Sequence, residues 1–446
     1  MKPRVPWIRS RLFLGFLLAF AAACTLFSCS LYNRDFPQAG GPFDPKMDYV
    51  VQVDDYGAFW DPEVPNRLLR VIAENVQKTN VVVVVFVHGW HHNAQNDDDN
   101  ARDFAETMRK LREAMVDNKD GRPGIYRQSR RNLTGNEDIE IYGVYIGWRG
   151  KSLPEPLDYV TFWDRKSGAE RVGEGDVREF LLRLNRLYAE RSALRNMTPK
   201  VPFMGLVSIG HSFGGQVLFK AVSHVLEAEI IAAAPYDDNV VARPLAGFGD
   251  LAILINPALE AFQYQRIDDL NRKIRYPPDQ TPLLLVISSA TDVARKTLFP
   301  LGRTAAATFR ASFRDDQRAL WTQALGEYEP QRTHEITITT EAQQDFDPDF
   351  YLSQPCKVVF YDLTTVPSIG GVKLVPLPNR VQAFSPFLVA YASGDVVLGH
   401  SGIFEKKLSG FLSDYVAITE GKRQLLASPE ARACLSQDKP ERGPPP

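Results

Sequence analysis

Residues 81 to 87 read VVVVVFV, seven consecutive apolar positions. An amphipathic helix needs polar residues at regular turns, and a half-exposed strand needs alternation; this run offers neither. Its β-branched side chains suit a pleated strand, and a strand with no polar face must be covered on both sides, as a central strand of a parallel sheet is. Further strands are expected at 140–147, 203–209, 251–255, 283–288 and 387–392. Between them, residues 101–115 and 177–188 repeat apolar side chains at helical spacing, with Val177, Phe180, Leu181, Leu184, Leu187 and Tyr188 on one face. This alternation predicts a doubly wound, mostly parallel α/β sheet, whose reactive groups gather at the carboxyl ends of the strands.

The first residues follow another pattern. Lys2, Arg4, Arg9 and Arg11 precede an apolar stretch at 12–27, with no acidic residue before Asp35, which is the pattern of an export signal. Leu26, Phe27, Ser28 and Cys29 resemble a bacterial lipobox, although Phe27 is bulkier than its usual occupant. The resemblance implies lipidation at Cys29 and anchoring in a bacterial cell envelope; a cleaved secretory signal and a retained anchor helix are the alternatives. Ser30, where an Asp would favour inner-membrane retention, leans towards the outer membrane. The expected organisation is an export segment at 1–28, a Pro/Gly-rich linker at 29–46, a folded domain at 47–430 and a flexible tail at 431–446. Only Cys356 and Cys434 remain for the mature domain, and an oxidising compartment would let them pair. With 52 basic against 54 acidic residues, no global field would draw nucleic acid.

The segment VSIGHSFGGQV, residues 207–217, places a serine between an apolar strand and a helical pattern, with glycines at 210, 214 and 215. Glycine suits a crowded or positive-φ reversal from strand to helix, and Gly210-His211-Ser212-Phe213-Gly214 fits the G-x-S-x-G nucleophile elbow. A serine needs a base within hydrogen-bond reach and a third group to orient that base. The helix start brings the backbone N–H of Phe213 to a developing oxyanion, and Gly89 and Trp90, directly after the 81–87 run, are the other candidate donors.

An HG turn after a buried strand, then GHSFGG after a later one, resembles the α/β-hydrolase superfamily over roughly residues 47–415. The resemblance implies the chain order Ser, acid, His. Asp292, just past the segment TPLLLVISS, is the expected acid; its position before VARK also suits a helix cap. Glu260 is the alternative acid, otherwise an exposed helical residue. His400, after the last strong strand, is the expected base, with His334 the competitor. His211 should point away from Ser212, His88 should be structural, His91 and His92 solvated, and His224 packed. Asp292 and His400 stand 108 residues apart, so an insertion is expected at about 300–385, either a lid or a structural excursion at the sheet edge. The run Asp97-Asp98-Asp99 suits a helix N-terminus better than a calcium site. The resemblance implies a serine hydrolase acting, without metal or other cofactor, on a small-molecule or lipid acyl ester. An acyltransferase and a non-catalytic surface lipoprotein are the alternatives.

Overall fold

The computed structural model describes residues 41–116, 127–151, 161–234, 240–300, 303–304, 317–339, 351–366 and 368–437. Cys29 and the export segment lie outside these residues. Among the described residues no helix is long and apolar enough to cross a membrane.

One sheet holds ten strands: β1 (Asp48–Gln52), β2 (Asn80–Val87), β3 (Ile139–Gly147), β4 (Met204–His211), β5 (Leu251–Ile255), β6 (Leu284–Ser289), β7 (His334–Ile338), β8 (Ser368–Ile369), β9 (Val372–Pro376) and β10 (Phe387–Ala392). Their order is β1-β3-β2-β4-β5-β6-β10-β7-β9-β8. Pairing is parallel from β1 through to β7, whereas β9 runs antiparallel to both β7 and β8.

The two faces of β2 explain its uninterrupted apolar run. Val81, Val83, Val85 and Val87 enter one core, shared with Phe180, Val217 and Leu218, while Val82 and Phe86 enter the other, with Phe104, Met108 and Phe411. Burying a side chain of this size contributes about 1.5 to 3 kcal/mol, so a polar residue at any of these positions would be strongly opposed.

From β2 the chain moves to β3 on one side, then returns to lay β4 on the other. Connections leaving the carboxyl ends of β2 and β4 therefore part in opposite directions, the topology at which such sheets usually bind ligands. The turn after β2 carries Gly89, and the turn after β4 carries Ser212.

The long interval between Asp292 and His400 contributes β7, β8 and β9, which extend the sheet beyond β10. These described residues form a structural excursion at the sheet edge. Within this interval Gln317–Thr322 is helical; residues 305–316 and 340–350 lie outside the described set.

Cys356, in the helix Pro355–Phe360, is disulfide-bonded to Cys434 in the helix Pro429–Gln437. The expected tail therefore begins too early at 431, because Ala431 and Cys434 are buried in this pinned helix; residues 438–446 are not described. The bridge spans 78 residues, and the chain-entropy model gives such a loop about 4 to 5 kcal/mol. Reductant is expected to lower the urea midpoint of the wild type and to leave a Cys356→Ser, Cys434→Ser double variant unmoved. Equal midpoints for the oxidised wild type and the double variant would remove the bridge from the stability of the fold.

Candidate active site

Ser212 links β4 to the helix Phe213–Ala233 with φ 55° and ψ −120°. The surrounding backbone holds this conformation. Ser212 N–H donates to Ile255 O at 3.0 Å, and Ser212 O accepts from the N–H groups of Gly215 and Ala258, each at 3.0 Å. The expected positive φ thus falls on the serine, and the glycines answer to crowding. A Cβ at Gly214 would run into the carbonyl oxygens of Val87 and His88, and one at Gly89 would sit 2.7 Å from the Cβ of Ser212. These two close approaches let the ends of β2 and β4 meet. Backbone of this kind costs about 1 to 3 kcal/mol for a residue with a side chain. Ser212→Gly is therefore expected to be more stable than Ser212→Ala by about 1 kcal/mol, read as a higher urea midpoint; equal midpoints would mean that the turn is unstrained.

His400 lies across from this serine. Its Nε2 is 2.8 Å from Ser212 Oγ, and its Nδ1 is 2.7 Å from Asp292 Oδ2. Since a carboxylate only accepts, Nδ1–H donates to Asp292, which leaves Nε2 to accept the serine hydroxyl. Asp292 is fully buried. Burial alone would push its carboxyl up, but the hydrogen bond from His400, the His400 charge and the Arg295 charge together outweigh it and hold the group well below the usual carboxylate range. Asp292 also caps the turn that follows, accepting Arg295 N–H at 3.1 Å. The cap that the sequence allowed is therefore present.

The loop bearing His400 is tied to three strand ends. Asn256, directly after β5, donates Nδ2–H to His400 O at 2.9 Å and to Gly399 O at 3.1 Å. His211, the last residue of β4, lies with Nε2 2.9 Å from the same His400 carbonyl, its ring centroid 5.0 Å from that of His400. At the end of β6, Ser289 Oγ donates to Val397 O at 2.6 Å, and just beyond it Thr291 Oγ1 accepts Gly399 N–H at 2.8 Å. Sequence reasoning did not find Asn256, the clamping role of His211, or Arg295, whose side chain meets Asp292. The available signal was positional, since Asn256 follows a strand end and Arg295 stands three residues after the acid.

Phe213 opens its helix, so its N–H has no acceptor within that helix. Gly89 and Trp90 follow β2 beside it. Aromatic rings line this side, with Trp90 5.2 Å from Phe162 and Phe162 5.0 Å from Phe213 between ring centroids. Beneath the turn, buried His88 donates from Nδ1 to Gly89 O at 2.9 Å and accepts Trp148 N–H on Nε2 at 3.0 Å. Burial pushes the His88 imidazole down to about 4, so it is neutral at physiological pH and fixes the turn.

The other candidates fall elsewhere. His334, the first residue of β7, is buried with Nε2–H donating to Thr364 O at 2.9 Å and Nδ1 2.7 Å from Thr333 Oγ1. Glu260, expected to be exposed if not the acid, is buried between Lys166 at 3.1 Å and Arg303 at 2.7 Å; two cations from distant segments make that burial tolerable. His224, expected to be packed, is exposed, because Val217, Ala221, Val222 and Leu226 form the buried face of its helix. His92 and His91 are half-buried, and His92 Nδ1 lies 3.2 Å from Asp98 Oδ1. Asp98 accepts the N–H groups of Asn93, Asn100 and Ala101, the work of a helix cap. Among the described residues no cluster of His, Cys, Asp and Glu could hold a metal ion.

Chemically, the line Ser212–His400–Asp292 can take a proton from a hydroxyl and stabilise the resulting imidazolium. No family model matches this chain, and no curated protein matches it. Among solved structures it matches an uncharacterized protein from Pseudomonas aeruginosa at 9% identity and a TM-score of 0.18, over 55% of this chain and 41% of that one. The chain thus spans less than half of that protein's length, and the likeness at this TM-score carries no argument.

Proposed function

We propose that this protein is a serine hydrolase of the α/β-hydrolase type that cleaves a carboxylic ester or related acyl bond. The observation that carries the reading is the continuous path from Ser212 Oγ through His400 to Asp292, at 2.8 Å and 2.7 Å, on a strained turn at the carboxyl end of β4. Ser212 Oγ attacks the acyl carbon while His400 Nε2 takes the hydroxyl proton, and the carbonyl oxygen becomes an oxyanion facing the N–H groups of Phe213 and the Gly89-Trp90 turn. Each such donor is typically worth about 3 to 4 kcal/mol in the transition state. Collapse breaks the bond to the leaving group, which receives the proton from His400. Water, deprotonated by the same imidazole, then attacks the acyl-serine, and Ser212 Oγ leaves with the proton. These steps need no cofactor. Asp292 holds the imidazole in the required tautomer throughout.

The Cys356–Cys434 disulfide supports an oxidising compartment, in keeping with export and anchoring through a lipid on Cys29. One experiment reads both parts of the proposal. Full-length protein purified from membranes is treated with a fluorophosphonate probe and its peptides are weighed. The expected result is a phosphonyl adduct on Ser212, absent in Ser212→Ala, together with a lipid on Cys29. An unlabelled wild type would sink the hydrolase reading, and an unmodified amino terminus at any other residue would sink the lipoprotein.

A further inference from the structure

Arg295 lies three residues after Asp292, in the helical turn Ala294–Leu298, with its side chain only 1% exposed. Each guanidinium nitrogen has an acceptor. Nε donates to Asp292 Oδ2 at 2.9 Å, Nη1 to Ser288 Oγ at 2.7 Å and Leu325 O at 3.2 Å, and Nη2 to Glu327 Oε1 at 2.5 Å. Asp292 Oδ2 therefore serves two donors at once, the His400 imidazole and Arg295. Its other oxygen receives the Arg295 backbone N–H. The carboxylate is held in one plane, with one face presented to the imidazole.

The charges form a line as well as the bonds. Reading outward from His400, the order is Asp292, Arg295 and Glu327, and Arg332 then pairs with Glu327 at 3.5 Å. Glu327 and Ser288 thus anchor the guanidinium that meets the carboxylate.

We propose that Arg295 is a positioning residue, which fixes the Asp292 carboxylate against His400 and is itself held in place by Ser288, Leu325 and Glu327. The inference rests on the serine-hydrolase reading for its place in turnover, but its geometry belongs to the resting protein. The Arg295 side chain is buried, shares an oxygen with the imidazole, and carries a second acid on its far side.

The test compares the wild type, Arg295→Met and Arg295→Lys by NMR of the low-field proton shared by His400 and Asp292, beside kcat and KM for a p-nitrophenyl ester. Arg295→Met is expected to lose or broaden that signal and to lower kcat by about 100-fold with KM little changed, through misplacement of the base, and Arg295→Lys to show a smaller loss of both. A loss of packing alone would spare the signal. An unchanged signal in folded Arg295→Met overturns the inference. If Arg295→Met does not fold, Arg295→Lys decides alone, because an ammonium cannot reach Asp292, Ser288 and Glu327 together; an unchanged signal there overturns the proposal. A signal that is lost as expected in a protein that neither labels nor hydrolyses removes the hydrolase reading and leaves the positioning of Asp292 standing.

Discussion

His400→Ala is expected to reduce kcat for ester hydrolysis by at least about 10⁴-fold, and Ser212→Ala by as much, with the double variant little worse than either. The reason is geometric. With Nε2 at 2.8 Å from Ser212 Oγ and Nδ1 at 2.7 Å from Asp292, the imidazole is the route for the proton among the described residues, so removing either end disables the same step. His334→Ala supplies the contrast. That side chain is buried in β7 against Thr364 and Thr333, so its loss should lower the melting temperature while kcat of the folded fraction stays within about tenfold. A silent His334→Ala enzyme beside an active His400→Ala enzyme would reverse the assignment.

A second large effect concerns acid. Burial pushes the imidazoles of His88 and His334 down to about 4 and that of His211 well down. In the unfolded chain these groups titrate near 6.5. Between these values the unfolded state binds protons that the folded state does not, so stability rises with pH and is lost as pH falls. At pH 5 His88 and His334 each account for a loss of about 2 kcal/mol, and His211 acts in the same direction. Glu420 acts in the opposite sense: burial, then the Asp250 charge, raise its carboxyl well above the usual range, so the folded state takes up its proton first. Asp250, which burial also raises, acts with it. The histidines are expected to prevail, so that stability falls from pH 7 to pH 5. Asp292, held low, adds its own loss only below about pH 4. Urea midpoints at the two pH values provide the check, and His334→Gln should lessen the difference by about one proton's worth. Identical midpoints in the wild type would show that the buried histidines do not govern acid stability.

How much of this the sequence disclosed depends on how each signal is written into it. Strands buried on both faces are unbroken apolar runs, so β2, β5, β6 and β10 are legible from composition alone, with boundaries within one residue. β1, β7, β8 and β9 are short, from two to five residues, and lie towards the sheet edges, where a half-exposed strand such as HEITI resembles any polar segment. Ser212 was legible because its turn needs glycines in fixed places, and Asp292 and His400 because each follows a strand. The groups that hold them were not. Asn256 and His211 act on a carbonyl more than 140 residues away, and Glu260 is buried through Lys166 and Arg303 from other segments. Such partners are set by how loops converge, which no local pattern records.

The position of His400 near the end of the fold bears on when the protein can begin to work. Ser212 and His400 are 188 residues apart, and the loop between β10 and the helix Lys406–Leu426 must dock on the ends of β4, β5 and β6 before the imidazole reaches the serine. Contacts of such long sequence separation form late, because the closure entropy of the intervening chain opposes them until neighbouring strands are paired. A chain still emerging from the ribosome lacks the imidazole until residue 400 has been made. In the proposed hydrolase, Ser212 would therefore stay unarmed until that loop docks, and the appearance of activity would mark completion of the sheet from β4 to β10.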